Sequence, residues 1–175
     1  MLMISEVAEA TEEVRAGNPP VYVRNEDGSI AAIETLSPES FIRVNGYVKT
    51  PIKPLGEAIE LADFLIRMAD TFEHKGWDFN ESVNLIDPTS EILHINDLCK
   101  EVHNPEVYQY GSALEVHFDL VRDAIEEECT RLSFARCFLS VGDYFQSKGW
   151  DLEKTIEVKM TYNDTREKRH GGKLY

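Results

Sequence analysis

Apolar positions recur at helical spacing over most of this chain. Along residues 2 to about 15 they fall at Ile4, Val7, Ala8 and Val14, and two prolines soon after end the predicted helix. Residues 57 to about 74 form a long, strongly periodic stretch, and Lys-Gly-Trp-Asp at 75–78 closes it. Further helices are predicted after an Asp-x-x-Glu capping box at 78–81, over 91–103, 112–132 and 133–147, and from 151 onwards. This pattern predicts an all-α helical bundle.

Residues 17–56 depart from the helical period. Polar and apolar positions alternate over 21–34 around Asp27-Gly28, which predicts a β-hairpin. The following residues, 35–56, carry Pro38, Pro51 and Pro54 and are predicted to form an ordered loop or lid. We therefore expect a small β-hairpin and lid insertion near residues 17–56 within an otherwise helical domain.

A short repeat suggests that part of the chain is duplicated. Lys-Gly-Trp-Asp at 75–78 recurs at 148–151, an offset of 73 residues, and flanking positions match at the same offset. Because the rare Trp falls in register with a predicted helix on each side, the repeat indicates a duplicated helical hairpin. The second copy lacks the acids of the first, since Ser133 stands for Glu60 and Arg136 for Asp63.

Composition and charge narrow the classes of function. The 175 residues carry a net charge of −14, which disfavours nonspecific binding to nucleic acid. We expect a single domain over 1–175 and no membrane partner, because no apolar run approaches the length of a membrane span and the first residues do not resemble a signal peptide. Three cysteines without a Cys-x-x-Cys spacing are interpreted as reduced thiols, two of them core residues in helices, which predicts a cytoplasmic location.

Two predicted helices carry acidic rows. Glu6 and Glu9 share one face of the first helix, and Glu60 and Asp63 share one face of the helix that starts near 57. If these helices pack together, each pair of carboxylates about 4 Å apart repels by roughly 1 kcal/mol in water and about 4 kcal/mol near a protein surface. A cluster of hard oxygen ligands without His or Cys suits Mg²⁺, with Mn²⁺ as a substitute. The alternative is a solvated helix face, although loss of the acids from the second repeat favours a function.

Three segments together resemble a known enzyme family. "SEVAEATEEVR", "ELADFLIRMAD" and "EVKMTYNDTREKRHGGK" are similar to motifs of the MazG-like, all-α nucleoside triphosphate pyrophosphohydrolases. Glu6 and Glu9 match the second and third acids of E-E-x-x-E, with Ser5 in place of the first, and the pair at 60 and 63 matches E-x-x-D. The last motif, K-x-x-x-N-x-x-R, is matched by Lys159, Asn163 and Arg166, with a tail that begins at Arg169.

The resemblance implies a Mg²⁺-dependent enzyme that cleaves a (deoxy)nucleoside triphosphate to the monophosphate and pyrophosphate. The metal ligands implied are Glu6, Glu9, Glu60 and Asp63. The catalytic residues implied are Glu9 and Glu60, with Glu9 as the candidate general base. Residues 159–173 hold five basic and two acidic side chains and would bind the phosphates. The substrate-binding residues implied are Lys159, Asn163, Arg166 and Arg169.

The same resemblance bears on organisation. It implies a homodimer, although a fused pair of halves could imitate a dimer within one chain. In that internal pseudo-dimer, 1–83 keeps the acidic site and 84–175 is a degenerate second half that ends in the basic motif. The chain departs from the family pattern at Ser5, in lacking the helix that usually precedes the acidic one, and over 84–131, where no motif matches.

Two other functions remain open from the sequence. Glu91 and His94 form one E-x-x-H, a motif that a di-iron carboxylate bundle uses twice. A degenerate bundle that binds a nucleotide or a partner without catalysis is the other alternative, and Ser5 favours it. The basic C-terminal segment also has a structural interpretation, since cations are favourable at any helix C-terminus.

Overall fold

The computed structural model describes residues 2–45, 47–78, 81–82, 113–125 and 131–165. The predicted helix over 91–103, the E-x-x-H of Glu91 and His94, and both Arg166 and Arg169 lie outside the described residues. Within these ranges, no helix is long and apolar enough to span a bilayer.

Five helices account for most of the described residues. They are α1 (Leu2–Ala16), α2 (Glu57–Lys75), α3 (Ala113–Ile125), α4 (Arg131–Lys148) and α5 (Leu152–Thr165). Their bounds confirm the helices predicted over 2–15 and 57–74, and they follow the periodic stretches of the C-terminal half closely. α2 packs against α1 and α5, and α3 packs against α1 and α4.

The buried side chains of these helices form one hydrophobic core. Its largest fully buried members come mainly from α2 and α4, including Phe64, Leu65, Tyr144 and Phe145. Cys137 is also fully buried in α4, which confirms the prediction of a core cysteine there. Because the first half of α2 is buried, Glu57, Glu60 and Asp63 are carried into the interior with it.

The all-α class predicted from the sequence is wrong. The structure contains two separate two-stranded antiparallel sheets, β1 (Tyr22–Arg24) with β2 (Ile30–Ala32), and β3 (Ile42–Asn45) with β4 (Val48–Pro51). The first sheet confirms the predicted hairpin around Asp27-Gly28. The second lies where a loop was predicted, and a short 3₁₀ helix (Pro38–Phe41) precedes it.

The prolines of this region do not prevent the second hairpin. Pro51 is the last residue of β4 and pairs with Ile42 at the end of the ladder, where a missing N–H is tolerated. All four residues of β4 are exposed, so the strand lacks the alternation of apolar and polar positions that would predict it. The hairpin is therefore held by backbone pairing rather than by burial of its outer strand.

A close backbone contact fixes where α2 begins. Gly56 precedes the helix with φ of 116°, and a Cβ at this position would lie 2.4 Å from the carbonyl oxygen of Pro20. That same oxygen accepts a hydrogen bond from the N–H of Ala58 at 3.1 Å, and Tyr22 and Leu55 exchange two backbone hydrogen bonds nearby. Only glycine fits this approach, which holds the first turn of α2 beside the segment that follows α1.

The predicted repeat has the same geometry in both copies. The ring of Trp77 packs edge-on against Phe72 at 5.5 Å, and the ring of Trp150 packs edge-on against Phe145 at 5.4 Å. The backbone N–H of each Trp donates a hydrogen bond to the backbone carbonyl of the same Phe, at 3.0 and 2.9 Å. The Asp after each Trp caps the next helix, since the Asp78 and Asp151 side chains accept the N–H groups three residues later.

Candidate functional site

The side-by-side packing of α1 and α2 brings three carboxylates together. One oxygen from each of Glu6, Glu9 and Glu60 lies within 4.8 Å of the others. Glu6 and Glu9 are separated by one helical turn on α1, and Glu60 lies in the first turn of α2. Glu6 and Glu60 are 4% and 2% exposed, whereas Glu9 is exposed to solvent. Two carboxylates of the cluster are therefore buried, and the third is accessible to solvent.

The fourth predicted metal ligand, Asp63, contacts α5. The ammonium nitrogen of Lys159 lies 3.4 Å from Asp63 Oδ2 and 3.6 Å from Glu60 Oε2. The side-chain amide of Asn163 donates to Asp63 Oδ1 at 3.5 Å, one turn further along α5. Lys159 is only 3% exposed, so its charge is directed at the carboxylates. The structure thus joins residues about 100 positions apart in the sequence.

Arg67 is a member of the cluster that the motifs did not indicate. Its Nε lies 2.8 Å from Glu6 Oε1, and its Nη2 lies 3.4 Å from Asp63 Oδ2, one turn earlier on the same helix. The only sequence signal for this contact is the i, i+4 spacing of Asp63 and Arg67, which favours an ion pair on any helix. Its contact with Glu6 depends on the packing of α1 and could not be foreseen.

The charges of the cluster do not balance. Four carboxylates, those of Glu6, Glu9, Glu60 and Asp63, face the two cations Arg67 and Lys159. When all four carboxylates are ionised they outnumber Arg67, Lys159 and the nearby Lys53, so the cluster favours a bound cation. Burial raises the pKa of Glu6 to about 7 and also raises the pKa of Glu60, because water is not available to solvate their charged forms.

A cavity of about 300 Å³ opens beside Glu9 and Glu60. Glu12, Glu13, Lys53 and Leu55 also line it, so ligands can reach the carboxylates from the side where α1 meets the segment before α2. Three convergent carboxylates, one of them accessible, form a donor set of hard oxygens. These residues fit a magnesium or manganese ion better than a softer metal.

Glu13, one turn after Glu9 on α1, has a structural function. The amide of Asn18 donates to Glu13 Oε2 at 2.7 Å, and the hydroxyl of Tyr22 donates to the same carboxylate at 3.0 Å. These bonds tie the end of α1 to the start of β1. Burial and the neighbouring carboxylate raise the pKa of Tyr22, so this hydroxyl remains a donor.

A second buried polar group lies on another side of α2. The hydroxyl of Tyr144 donates to Glu57 Oε1 at 2.7 Å, and His117 Nε2 lies 3.1 Å from the same oxygen. His117 Nδ1 is 3.0 Å from the hydroxyl of Thr11. The network joins α1, α2, α3 and α4, and His117 is buried within it.

Comparison of the chain with protein-family models, with curated proteins and with solved structures gives no match. The resemblance to the MazG-like family therefore stays a prediction that rests on the quoted motifs. The roles of Glu9 and Glu60 in catalysis are likewise predictions, and so are those of Lys159 and Asn163 in substrate binding.

Proposed function

We propose that this protein is a divalent-metal-dependent hydrolase that cleaves nucleoside triphosphates to the monophosphate and pyrophosphate. One observation carries the proposal: acids from α1 and α2 and the Lys-Asn pair from α5 meet in one cluster, and two of its acids, Glu9 and Glu60, line a cavity. These are the three segments whose motifs resemble the MazG-like pyrophosphohydrolases. An accidental set of solvated acids would not be expected to meet a buried lysine from the far end of the chain.

The charge of the cluster supports a metal rather than a solvated surface. Two of the acids are nearly inaccessible, and charged carboxylates are kept in such positions when cations accompany them. Glu6, Glu9 and Glu60 would hold the ion, and Asp63 would reach it through a change in its pairing with Lys159. A bound Mg²⁺ supplies charge neutralisation for phosphate oxygens and lowers the pKa of a bound water.

We assign the proton transfer and the positioning of the carboxylates to residues of the chain. Glu9 is the exposed carboxylate at the cavity, so we assign it the role of accepting the proton of the attacking water. The water oxygen would form a bond to the α-phosphorus while the bond from that phosphorus to the bridging oxygen breaks, which releases pyrophosphate. Lys159 is buried against Glu60 and Asp63, and we assign it to orienting these carboxylates rather than to direct contact with substrate.

The test is pyrophosphate release from a panel of ribo- and deoxyribonucleoside triphosphates with Mg²⁺ or Mn²⁺. We expect Glu9→Gln and Glu60→Gln to lower kcat/KM by about 100-fold or more, the range for loss of a general base or metal ligand. Glu73→Gln removes an exposed acid from the same helix as Glu60 and should leave activity unchanged. Equal turnover in all four proteins would exclude the assigned site.

A non-catalytic binding protein is the second candidate, and one observation favours it. Arg67 already pairs with Glu6 and Asp63, and Ser5 stands where the resembling family has an acid, so less negative charge remains for a metal. This function predicts binding of a nucleotide without release of pyrophosphate. Calorimetry with a nonhydrolysable triphosphate analogue, beside the activity panel, separates the two.

Location and assembly are proposed on the sequence alone. The cysteine usage supports a cytoplasmic protein, the resemblance supports a homodimer, and the internal repeat supports a pseudo-dimer. The shared geometry of the Phe72–Trp77 and Phe145–Trp150 pairs is in keeping with duplication within one chain. Sedimentation of the full chain would distinguish the two forms of assembly.

A further inference from the structure

A second groove with the opposite charge adjoins the acidic cavity. It has a volume of about 250 Å³ and lies between the two β-hairpins, where Arg24, Arg43 and Lys53 line it. Lys53 also lines the acidic cavity, so the two spaces share this residue. Its positive charge acts on Glu60, whose pKa it lowers against the larger effect of burial.

The groove is unusual in a chain with a net charge of −14. Residues 40–56 contain Arg43, Lys49 and Lys53 and not one Asp or Glu. The only acid that lines the groove is Glu26, and its carboxylate is ion-paired with Arg43 across the two hairpins. Three cations against one acid leave a surplus of two positive charges.

The register of the second hairpin directs this charge inwards. Arg43 pairs with Thr50, and both line the groove, whereas the next pair, Val44 with Lys49, does not. Because successive side chains of a strand point to opposite faces, Lys49 belongs to the other face of the hairpin. The positive charge on the groove side is therefore set by the strand register.

We propose that this groove binds the β- and γ-phosphates of the substrate. The volume is small for a nucleoside, since sites for drug-sized ligands begin at about 300 Å³, but it suits phosphate groups. Arginine forms paired hydrogen bonds to phosphate oxygens, and Arg24 and Arg43 supply two such groups. A triphosphate that spans both spaces would place its α-phosphate at the carboxylates and its leaving group at the arginines, an assignment that rests on the proposed function.

The experiment measures binding of inorganic tripolyphosphate by calorimetry in EDTA, so that the carboxylate cluster carries no metal. We expect Arg24→Gln and Arg43→Gln each to weaken binding by about fivefold or more, because each removes a charge-assisted pair of hydrogen bonds. Lys49→Gln removes one charge from the other face of the same hairpin and should change the affinity by less than about twofold. Equal losses of affinity in Arg43→Gln and Lys49→Gln would show that the anion is attracted by the surface charge in general, and would overturn the proposed phosphate site.

Glu26→Gln gives a test in the opposite direction. It removes the acid that competes for Arg43, so tripolyphosphate should bind more tightly. Weaker binding in this variant would contradict the proposal, even if an arginine variant were to fold poorly.

Turnover separates this proposal from the proposed function. With Mg²⁺, the arginine variants should raise KM for the triphosphate. If the enzyme is active and the arginine variants change neither KM nor the affinity for tripolyphosphate, phosphate binding by the groove is refuted while the hydrolase stands. If tripolyphosphate binding depends on the groove arginines but no pyrophosphate is released from triphosphates, the hydrolase is refuted and the groove remains an anion-binding site.

Discussion

At the scale of single residues, burial decides which acids of this protein have unusual properties. Glu6 and Glu9 are one turn apart on α1, but only Glu6 is enclosed. Its pKa rises to about 7 chiefly because burial disfavours the charged form, and Arg67 offsets part of that effect. The spacing of the acids was readable from the sequence, whereas their burial depends on how α2 packs.

This raised pKa predicts a dependence of stability on pH. The folded protein holds the Glu6 proton more tightly than the unfolded chain does, so deprotonation costs stability as pH rises from 4.5 to about 7. The full cost is on the order of 3 kcal/mol. Glu6→Gln should therefore gain stability relative to the native protein over this window and show a constant difference above it, measured by denaturant unfolding in EDTA. A difference that grows as pH falls would contradict the assignment.

The buried network around Glu57 predicts a loss of stability at Tyr144. Tyr144→Phe removes the donor at 2.7 Å from Glu57 Oε1 and leaves a buried carboxylate with one partner fewer. We expect a loss of about 1–3 kcal/mol in the free energy of unfolding. Tyr47→Phe removes a hydroxyl from a fully exposed ring and should have an effect below about 0.5 kcal/mol. Similar effects of the two changes would show that the network contributes nothing.

At the scale of elements, periodicity predicted the helices because each buries a continuous apolar face. The two copies of the repeat end their helices in the same way, since Gly-Trp-Asp specifies a local structure that needs no distant partner. β3 and β4 were not predicted because β4 is exposed along its length and the prolines of residues 35–56 are typical of a loop. The contacts of Lys159 could not be predicted either, because they join α5 to α2.

The start of α2 offers a test of how an element is positioned. Gly56→Ala would force a Cβ to within 2.4 Å of the Pro20 carbonyl, so we expect a loss of more than about 2 kcal/mol in the free energy of unfolding. Gly17→Ala is the matched control, because φ is also positive there but no atom lies within 4 Å of the added carbon. It should cost about 1 kcal/mol. Equal costs would mean that the approach of Pro20 is not what fixes the helix.

At the scale of the whole molecule, the excess negative charge links metal binding to stability. An ion that binds only the folded state adds about 2.7 kcal/mol when present at 100 times its Kd. For a chain of this length we expect a rise in Tm of several degrees on addition of Mn²⁺ or Mg²⁺. Glu9→Gln and Glu60→Gln should abolish the rise, while Glu73→Gln should keep it. A rise in Tm of the same size in the native protein and all three variants would show that the ion binds elsewhere on the protein.

The distance along the chain between Glu60 and Lys159 has a consequence for biosynthesis. At roughly 5–20 residues per second, a ribosome needs roughly 5–20 s to travel from the first of these codons to the second. Throughout that interval Glu60 and Asp63 exist without the lysine that pairs with them in the folded protein. We therefore expect the nascent polypeptide to delay closing this region, or to shield it with counterions from solution, until translation has delivered α5.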